Sequence, residues 1–433
     1  MPIPNIKDKY YLTYGIFFLL GILTFIPNYF VITANRYWMF KFRYMGARPE
    51  PSEPDADHLG PGPPEDRNVL QTLFPSSYYI VSQLSLLIFI VLTAAYSKKL
   101  PAPDKRIFAA LLCTLFFYVV NLIFCDLTTD TFQTIFFFIL MCIACFLGVC
   151  GAVIIVSLVE MVRKFPPEYY TAVLSGQPLC AAISALIQII TTAVTKKPHA
   201  GGLVFFIIGT LLVLVTIAIY FFSKRNSQYS IYQIENDAAP ESLADHRRLL
   251  LVVWAKTKET NKKVKMYMAA LVITIGTSAI VYPGFAALVV ADKSNGRSWG
   301  AWPDMYFVPM ITFLMASIFD ICGRFLASKI QKSNNQIVLA AAILRIGFIP
   351  LLMLCNAQPR LHLPVIFYDI PYMVFISMFC FSNGFLINIC ITLIPANATD
   401  EEEKTSVTIL AVMSAVMSAA VFSFISLLLI YLI

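Results

Sequence analysis

Residues 132–160 read FQTIFFFILMCIACFLGVCGAVIIVSLVE, and no charged side chain interrupts this stretch before its last residue, Glu160. About twenty apolar residues in a row are enough to cross the hydrocarbon core of a bilayer as an α-helix. Blocks of the same kind recur along the chain, which has 433 residues and is 58% hydrophobic and only 13% charged. A soluble domain averages about a quarter charged residues. The composition therefore excludes a soluble globule and predicts an all-α polytopic membrane protein.

The apolar blocks predict eleven membrane-spanning helices, with the two termini on opposite sides of the membrane. Lys and Arg are about twice as frequent in the loops on the side of the N-terminus, which predicts a cytosolic N-terminus and an extracellular or lumenal C-terminus. The predicted spans are residues 11–34, 79–97, 107–126, 132–160, 170–195, 202–222, 266–291, 303–327, 337–355, 371–395 and 405–433.

Two long loops divide the predicted spans. Residues 35–78 are rich in Pro and acidic side chains, and we predict a partly disordered loop outside the cytosol. Residues 223–265 are polar and basic and are predicted to form a cytosolic linker. The chain is therefore predicted to consist of an N-terminal six-helix bundle in residues 1–222 and a C-terminal five-helix bundle in residues 266–433.

Charged side chains inside a membrane span are costly, so each of them is a candidate functional residue. Asp320 and Arg324 lie four residues apart in the eighth span and therefore share a helix face, where they can form an ion pair. In one interpretation this pair only neutralises itself near the cytosolic end of the helix. In the other, the carboxylate accepts and the guanidinium donates hydrogen bonds to a ligand, and a sugar with vicinal hydroxyls suits that combination.

Further polar side chains lie inside the predicted spans. We interpret Arg345, in the ninth span, as extending toward the membrane surface or satisfying the backbone near Pro350, rather than as a ligand contact. An amide such as that of Gln177 offers both a donor and an acceptor to a heteroaromatic base. Each such group can instead hold two helices together, which is its more frequent role. The uncharged members of the set are Asn28, Gln83, Gln177, Ser317 and Asn383.

Motifs of several other protein classes are missing from the sequence. It has no Walker loop, nucleophile elbow, HExxH or Rossmann-type glycine motif, which argues against an enzyme or an ATP-driven pump. The 10 cysteines show no metal-ligand spacing and the 4 histidines lie in predicted loops, so no metal or other cofactor is expected. Basic residues are spread among short loops, so no nucleic acid partner is expected.

Six short segments, in order along the chain, resemble one known family. They are LLGILTFIP at 19–27, YYTAVLSGQPL at 169–179, IFDICGR at 318–324, LRIGFIPLLMLCN at 344–356, FSNGFL at 381–386 and VFSF at 421–424. With these segments and the two long loops, the chain resembles the equilibrative nucleoside transporters. The resemblance implies a major-facilitator-like arrangement of six helices plus five around a central cavity. It also implies that nucleosides move down their gradient by alternating access.

The resemblance implies roles for individual residues as well. Asp320 and Arg324 occupy the positions that bind ribose in the family, and Gln177 occupies the position that faces the nucleobase. Arg106 and Glu403 match a pair that closes the cytosolic side, while Pro283 matches a constriction on the outer side. The remaining positions of the implied substrate cavity are held by Phe25, Asn28, Phe313 and Ser317.

Asn28 is the clearest departure from the family pattern. Relatives usually read Pro-Trp-Asn in the first span, whereas this chain reads Pro27-Asn28-Tyr29. Ser317 likewise stands where relatives often carry Asn. Loss of the indole removes a large apolar face, so the resemblance implies a wider and wetter cavity with broad base selectivity.

Two function classes remain open at this point, with a variant of the first. The first is a facilitative carrier in the lipid bilayer, with nucleosides as its main substrates and nucleobases as a further class. Its oligomeric state is left open, and a monomer would suffice. The variant is a carrier of organic cations or other solutes on the same fold. The second class is a non-transporting membrane sensor or scaffold. Three intact polar groups at mid-span, Asp320, Arg324 and Gln177, favour the nucleoside carrier, and the plasma membrane is favoured over an internal organelle.

Overall fold

The computed structural model describes residues 12–44, 64–162, 169, 172–173, 176, 178–195, 197–223, 262–292, 305–330, 332–360, 362–397 and 401–433. These residues are almost entirely helical. Among them, ten helical segments are long and apolar enough to cross a membrane: Thr13–Thr33, Val69–Ala95, Pro103–Asp126, Gln133–Val162, Pro198–Phe222, Val264–Leu288, Val308–Ser328, Asn335–Met353, Asp369–Ala396 and Leu410–Leu432.

The helices fall into two sets along the chain, on either side of the region 224–261, which lies outside the described residues. The N-terminal bundle consists of α1 (Leu12–Thr33), α2 (Asn35–Lys41), α3 (Val69–Ala95), α4 (Pro103–Asp126), α5 (Gln133–Val162), α6 (Leu179–Val194) and α7 (Pro198–Ser223). The C-terminal bundle consists of α8 (Lys262–Val281), a π-helical segment (Val308–Met315) that continues into α9 (Ala316–Ser328), then α10 (Asn335–Leu344), α11 (Phe348–Met353), α12 (Asp369–Ala396) and α13 (Glu401–Leu432).

The predicted loop over residues 35–78 is wrong at both of its ends. Residues 35–41 form α2, and α3 begins at Val69 instead of at the predicted residue 79. A capping box starts α3. The backbone N–H of Gln71 donates to the Asn68 side chain at 2.8 Å, and the backbone N–H of Asn68 donates to the Gln71 side chain at 2.9 Å. The middle of the predicted loop, residues 45–63, lies outside the described residues.

The fifth predicted span, residues 170–195, corresponds to the short helix α6. This helix has 16 residues, and most of residues 163–177 lie outside the described part of the chain. The predicted count of eleven spans therefore stays a prediction.

Each bundle has its own apolar core. In the N-terminal bundle, α2 inserts the buried Trp38 and the chain that follows it inserts Phe42, and both rings pack against Phe74 and Phe136 at centroid distances of 4.9 to 6.4 Å. Aromatic rings bury a large area each and dominate the energetics of such cores. In the C-terminal bundle two smaller apolar clusters occupy the two ends, one including Phe307 and the other including Tyr267.

Glycines let particular helices touch backbone to backbone. A Cβ atom on Gly323 of α9 would lie 2.2 Å from the carbonyl oxygen of Phe381, and one on Gly384 of α12 would lie 1.9 Å from that of Asp320. Close contact of this kind favours van der Waals packing between membrane helices. It fixes α9 against α12 at the level of Asp320.

Side-chain hydrogen bonds join the two bundles at the end of the molecule where α1 ends and α3 begins, which we call the α2 end. Asn35 donates to the carbonyl oxygen of Ala287 at 3.1 Å, and Ser76 and Ser426 hydrogen-bond at 3.0 Å. Arg67 donates to the carbonyl oxygens of Leu288 at 3.2 Å and Gln358 at 3.0 Å. The opposite end, where α4 begins and α5 ends, is called the Arg106 end.

Candidate substrate-binding site

The π-helical segment before α9 positions two of the predicted cavity residues. Phe313 is fully buried and packs with the apolar core of the N-terminal bundle, so it lies where the two bundles meet. Its ring meets the Tyr282 ring edge-on at a centroid distance of 6.0 Å. Ser317 is buried one turn later, and its hydroxyl donates to the Phe313 carbonyl at 2.6 Å. The Ser317 proton is therefore used within its own helix, which leaves the oxygen as an acceptor.

The predicted ion pair of Asp320 and Arg324 forms on α9. Nε of Arg324 donates to Oδ2 of Asp320 at 2.8 Å, and the two side chains keep 17% and 27% of their surface exposed. The pair is therefore accessible, and the two terminal nitrogens of Arg324 are not the ones that hold the carboxylate. A carboxylate and a guanidinium fixed side by side present acceptors and donors to a pair of hydroxyls.

The other carboxylate oxygen of Asp320 is held from α12. Nδ2 of Asn383 donates to Oδ1 of Asp320 at 2.7 Å, and Oδ1 of Asn383 accepts from the Ser278 hydroxyl of α8 at 2.5 Å. Asn383 thus belongs to the same polar cluster as the ion pair. The sequence marked Asn383 as a candidate, but its partner Ser278 was missed.

The two structural roles that the sequence suggested for Arg345 were wrong. The side chain does not extend to the membrane surface, because Arg345 is only 2% exposed and lies inside the C-terminal bundle. It does not satisfy the backbone near Pro350 either, since its acceptors are on α8 and α12. These are the Thr274 and Phe379 carbonyls and the Thr277, Ser278 and Ser382 hydroxyls. The guanidinium also lies 3.9 Å from the centre of the Phe379 ring.

The predicted cavity residues Phe25 and Asn28 lie on α1 and are partly buried, as is the adjacent Tyr29. Oδ1 of Asn28 accepts from the Tyr78 hydroxyl of α3 at 3.3 Å, so this amide contacts a neighbouring helix. The Tyr29 hydroxyl lies within electrostatic range of Asp320 and Arg324. Tyr29 was missed as a candidate, although it stands beside Asn28 in the segment that departs from the family.

The predicted gate residues are placed as follows. Arg106 is buried at the start of α4 and forms an ion pair with Glu160 at the end of α5. Among the described residues, Nε and Nη1 of Arg106 and Oε1 of Glu160 have no hydrogen-bond partner. Glu403 belongs to α13, but its side chain lies outside the described part of the structure, so the predicted pair with Arg106 stays a prediction. Pro283 is buried in the turn after α8, at the α2 end.

The predicted site residues Gln83 and Gln177 are not among those that the described structure places in the polar cluster around Asp320. Gln83 is partly buried on α3. Gln177 lies outside the described residues. Ser278 had a signal in the sequence, because Thr274, Thr277 and Ser278 share one face of α8 at helical spacing, whereas nothing in the spacing of Arg106 and Glu160 predicts their contact.

The fold agrees with that of a known transporter. The crystal structure of a D-xylose-proton symporter superposes on this chain with a TM-score of 0.56 at 11% sequence identity, covering 96% of this chain and 89% of the other. The all-α polytopic fold of the major-facilitator type predicted from the sequence is thereby confirmed, and the molecule is an integral membrane protein with a transporter fold.

Sequence comparisons define the family. A family model described as Nucleoside transporter matches residues 141–428. Human equilibrative nucleoside transporter 1 is 26% identical over 447 residues, covering 96% of this chain and 97% of the relative. Rat equilibrative nucleoside transporter 2 is 25% identical over 439 residues, covering 92% and 93%. The chain belongs to the nucleoside transporter family, a family of transporters and not of enzymes.

Proposed function

We propose that this protein carries nucleosides across a membrane down their concentration gradient, by alternating access between its two bundles. Its membership of the nucleoside transporter family supports this proposal, as do relatives named equilibrative nucleoside transporters that align over nearly the whole chain. Nucleobases are a secondary candidate substrate. The bundles are residues 1–222 and 266–433, with residues 223–265 as a cytosolic linker.

The observation that carries the proposal is the pair Asp320 and Arg324. Both side chains are partly exposed, and the carboxylate is held at both oxygens, by Arg324 and Asn383. Each oxygen retains a lone pair for a sugar hydroxyl, and the terminal nitrogens of Arg324 have no acceptor among the described residues, so they can donate to a second hydroxyl. A pair of adjacent hydroxyls is present in ribose and absent from 2′,3′-dideoxyribose, so a site for such a pair favours ribonucleosides.

The base is proposed to lie between α1 and the π-helical segment. The partly buried Phe25 supplies an apolar face there, Gln177 supplies an amide, and Asn28 and Ser317 supply small polar groups in place of larger ones. Phe313 is fully buried in this conformation, so it contributes a face to the base only when the bundles move apart. Because the Asn28 oxygen is already bonded to Tyr78, Gln177 is the main polar group left to read the base. We expect broad base selectivity.

Two gates are proposed for alternating access. The hydrogen bonds from Asn35, Arg67 and Ser76 across the bundles support a closed α2 end in this conformation. At the Arg106 end, the unused Nε and Nη1 of Arg106 support a second pairing with Glu403 when that end closes. With the N-terminus in the cytosol, the Arg106 end faces the cytosol and Pro283 faces outward.

A carrier of organic cations is a weaker candidate. A cationic solute needs an unneutralised carboxylate, and the Asp320 carboxylate already has a guanidinium and an amide on it.

A monomer in the plasma membrane, with an extracellular C-terminus, is proposed as the working form.

Uptake by cells that lack their own nucleoside carriers tests the proposal. Cells expressing the protein should take up a panel of radiolabelled nucleosides at two pH values, and Arg324→Ala should abolish uptake with surface expression retained. Without Arg324 the partly exposed Asp320 carboxylate keeps only the Asn383 amide, which costs less than the roughly 3 to 5 kcal/mol of a fully buried unpaired charge. Lys329→Ala is the matched control, because Lys329 is an exposed cation at the end of the same helix. Uptake of an organic cation but no nucleoside, or normal uptake by Arg324→Ala, would contradict the proposal.

A further inference from the structure

Arg345 is a buried cation without a carboxylate of its own in the described structure. Its five N–H groups all have acceptors, and every acceptor is a neutral hydroxyl or a backbone carbonyl. A buried charge is costly unless it is paired, so a membrane bundle gains nothing from an arginine that merely fills space. The counter-charge is reached through two intervening side chains.

A directional chain of hydrogen bonds connects Arg345 to Asp320. Nη2 of Arg345 donates to the Ser278 hydroxyl at 2.9 Å, Ser278 donates to Oδ1 of Asn383 at 2.5 Å, and Nδ2 of Asn383 donates to Asp320 at 2.7 Å. A cation stands at one end and a carboxylate at the other. Each donor in the series therefore points toward the negative charge.

The direction of this chain decides how the Asn383 amide is oriented. A serine hydroxyl has one proton, and the Arg345 donor occupies one of its lone pairs. The Ser278 proton has two acceptors within reach, Asn383 at 2.5 Å and the Thr274 carbonyl at 3.1 Å. When it points at the Asn383 oxygen, the amide must present its NH₂ group to Asp320. Without it, the amide oxygen loses its donor on α8, and the carboxylate alone holds the NH₂ group in place, so the amide is less firmly oriented.

The helix contacts hold the members of the chain in register. Gly384 follows Asn383 directly and lies against the Asp320 backbone, so the two side chains cannot separate without parting α9 from α12. The orientation of the amide is therefore the main remaining freedom at this side of the carboxylate.

We propose that Arg345 is a positioning residue for the substrate-binding carboxylate, acting on Asp320 through Ser278 and Asn383. The chain holds Oδ1 of Asp320 while Arg324 holds Oδ2, so the plane of the carboxylate is fixed before a sugar arrives. This inference rests on the proposed function, because it gives Asp320 the role of reading sugar hydroxyls. Its consequence is that discrimination for those hydroxyls depends on residues that never touch the substrate.

The experiment compares uptake of uridine with uptake of 2′,3′-dideoxyuridine by the full-length protein reconstituted in vesicles. Ser278→Ala should lower the ratio of the two uptake efficiencies about tenfold, the loss expected for a misplaced hydrogen bond to a charged group. Ser278→Thr keeps a hydroxyl and should keep the ratio within about twofold. The matched control is Ser377→Ala on α12, because the Ser377 hydroxyl bonds only to its own helix at Met373 in the described structure.

A second variant tests whether the residues act in series. Asn383→Leu should lower the ratio as much as Ser278→Ala does, and the double variant should lower it no further, since one broken link already disconnects Asp320. Melting temperatures in detergent identify variants that fail to fold. Additive losses, or equal losses for both substrates with an unchanged ratio, would overturn the positioning role.

Failure of the proposed function gives a different pattern. If Asp320→Asn leaves the ratio unchanged, the carboxylate does not read the sugar, and the sugar site fails along with this inference. If Asp320→Asn lowers the ratio but Ser278→Ala and Asn383→Leu do not, the sugar site stands and only the positioning role is overturned.

Discussion

The two bundles use the same packing device for different purposes. In the N-terminal bundle, α5 meets α3 at Gly148, where a Cβ atom would lie 2.6 Å from the Ser82 carbonyl oxygen. In the C-terminal bundle, α9 meets α12 at Gly323 and Gly384 with even less room. Aromatic rings fill the N-terminal core, whereas a chain of polar side chains runs through the C-terminal one from Arg345 to Asp320. Close backbone contact gives rigidity in both bundles, but only the C-terminal bundle uses it to fix a charge.

Among the described residues, the two buried arginines differ in the same way. Arg345 has an acceptor for each of its N–H groups, while Arg106 is bonded through one nitrogen to Glu160 and has two nitrogens without a partner in the described structure. A fully satisfied guanidinium is held in one place. One with unused donors can exchange partners at little cost, as a gate requires.

The largest effect is expected from closing the space between α9 and α12. Gly384→Ala would put a methyl group 1.9 Å from the Asp320 carbonyl oxygen, which is backbone and cannot move aside. We expect a loss of stability of about 3 kcal/mol or more, with loss of uptake, and a smaller loss for Gly148→Ala. Gly15→Ala is the control, because among the described residues no atom beyond its chain neighbours and its own helix backbone lies within 4 Å of the added methyl group. Equal melting temperatures for Gly384→Ala and Gly15→Ala would show that the close contact between α9 and α12 does not contribute to stability.

The next effect separates the two arginines. Arg345→Met leaves several buried acceptors without donors, so we expect a loss of about 3 kcal/mol and a lower melting temperature in detergent. Arg106→Met should cost about 1 kcal/mol, because its ion pair is at a helix end and partly exposed on the Glu160 side. Arg345→Lys should not restore stability, since an ammonium cannot reach the same fork of acceptors. A greater loss for Arg106→Met would reverse the comparison.

A smaller effect is expected at the contact between the bundles. Burial lowers the pKa of Arg67 to about 10, so the side chain is charged at neutral pH and its two bonds to the C-terminal bundle are charge-assisted. Arg67→Ala should raise the rate at which a thiol introduced by Ser426→Cys is labelled, by about tenfold. The control is Arg43→Ala, because Arg43 pairs with Asp130 within the N-terminal bundle. An unchanged labelling rate would mean that Arg67 does not hold the α2 end closed.

The smallest effect is expected at Asn28. Its bond with Tyr78 is long, at 3.3 Å, so Asn28→Ala and Tyr78→Phe should each cost less than about 1 kcal/mol and should not add. Asn28→Trp should narrow the range of nucleosides taken up if the side chain faces the cavity. Wild-type rates for purine and pyrimidine nucleosides in the Trp variant would identify Asn28 as a helix-bridging residue only.

The sequence by itself determined the class of fold and predicted where the candidate site lies. Continuous apolar blocks long enough to cross a bilayer form membrane helices, because a helix satisfies the hydrogen bonds of its backbone N–H and C=O groups within each span. The spacing of Asp320 and Arg324 likewise predicts their ion pair, since residues four apart on a helix are neighbours. Charges inside such spans are rare enough that their position alone marks a candidate site.

Only the tertiary structure decided which residues meet across helices. The local pattern around Arg345 favoured a side chain that extends to the surface, whereas the structure buries it among acceptors from α8 and α12. Arg106 pairs with Glu160, which lies 54 residues away in the sequence. The start of α3 was not predicted, because it follows a Pro-rich stretch and its capping residues, Asn68 and Gln71, do not stand out in the sequence. Contacts between distant segments depend on how closely two backbones approach. That distance follows from glycines and packing on both helices together, so neither segment encodes it alone.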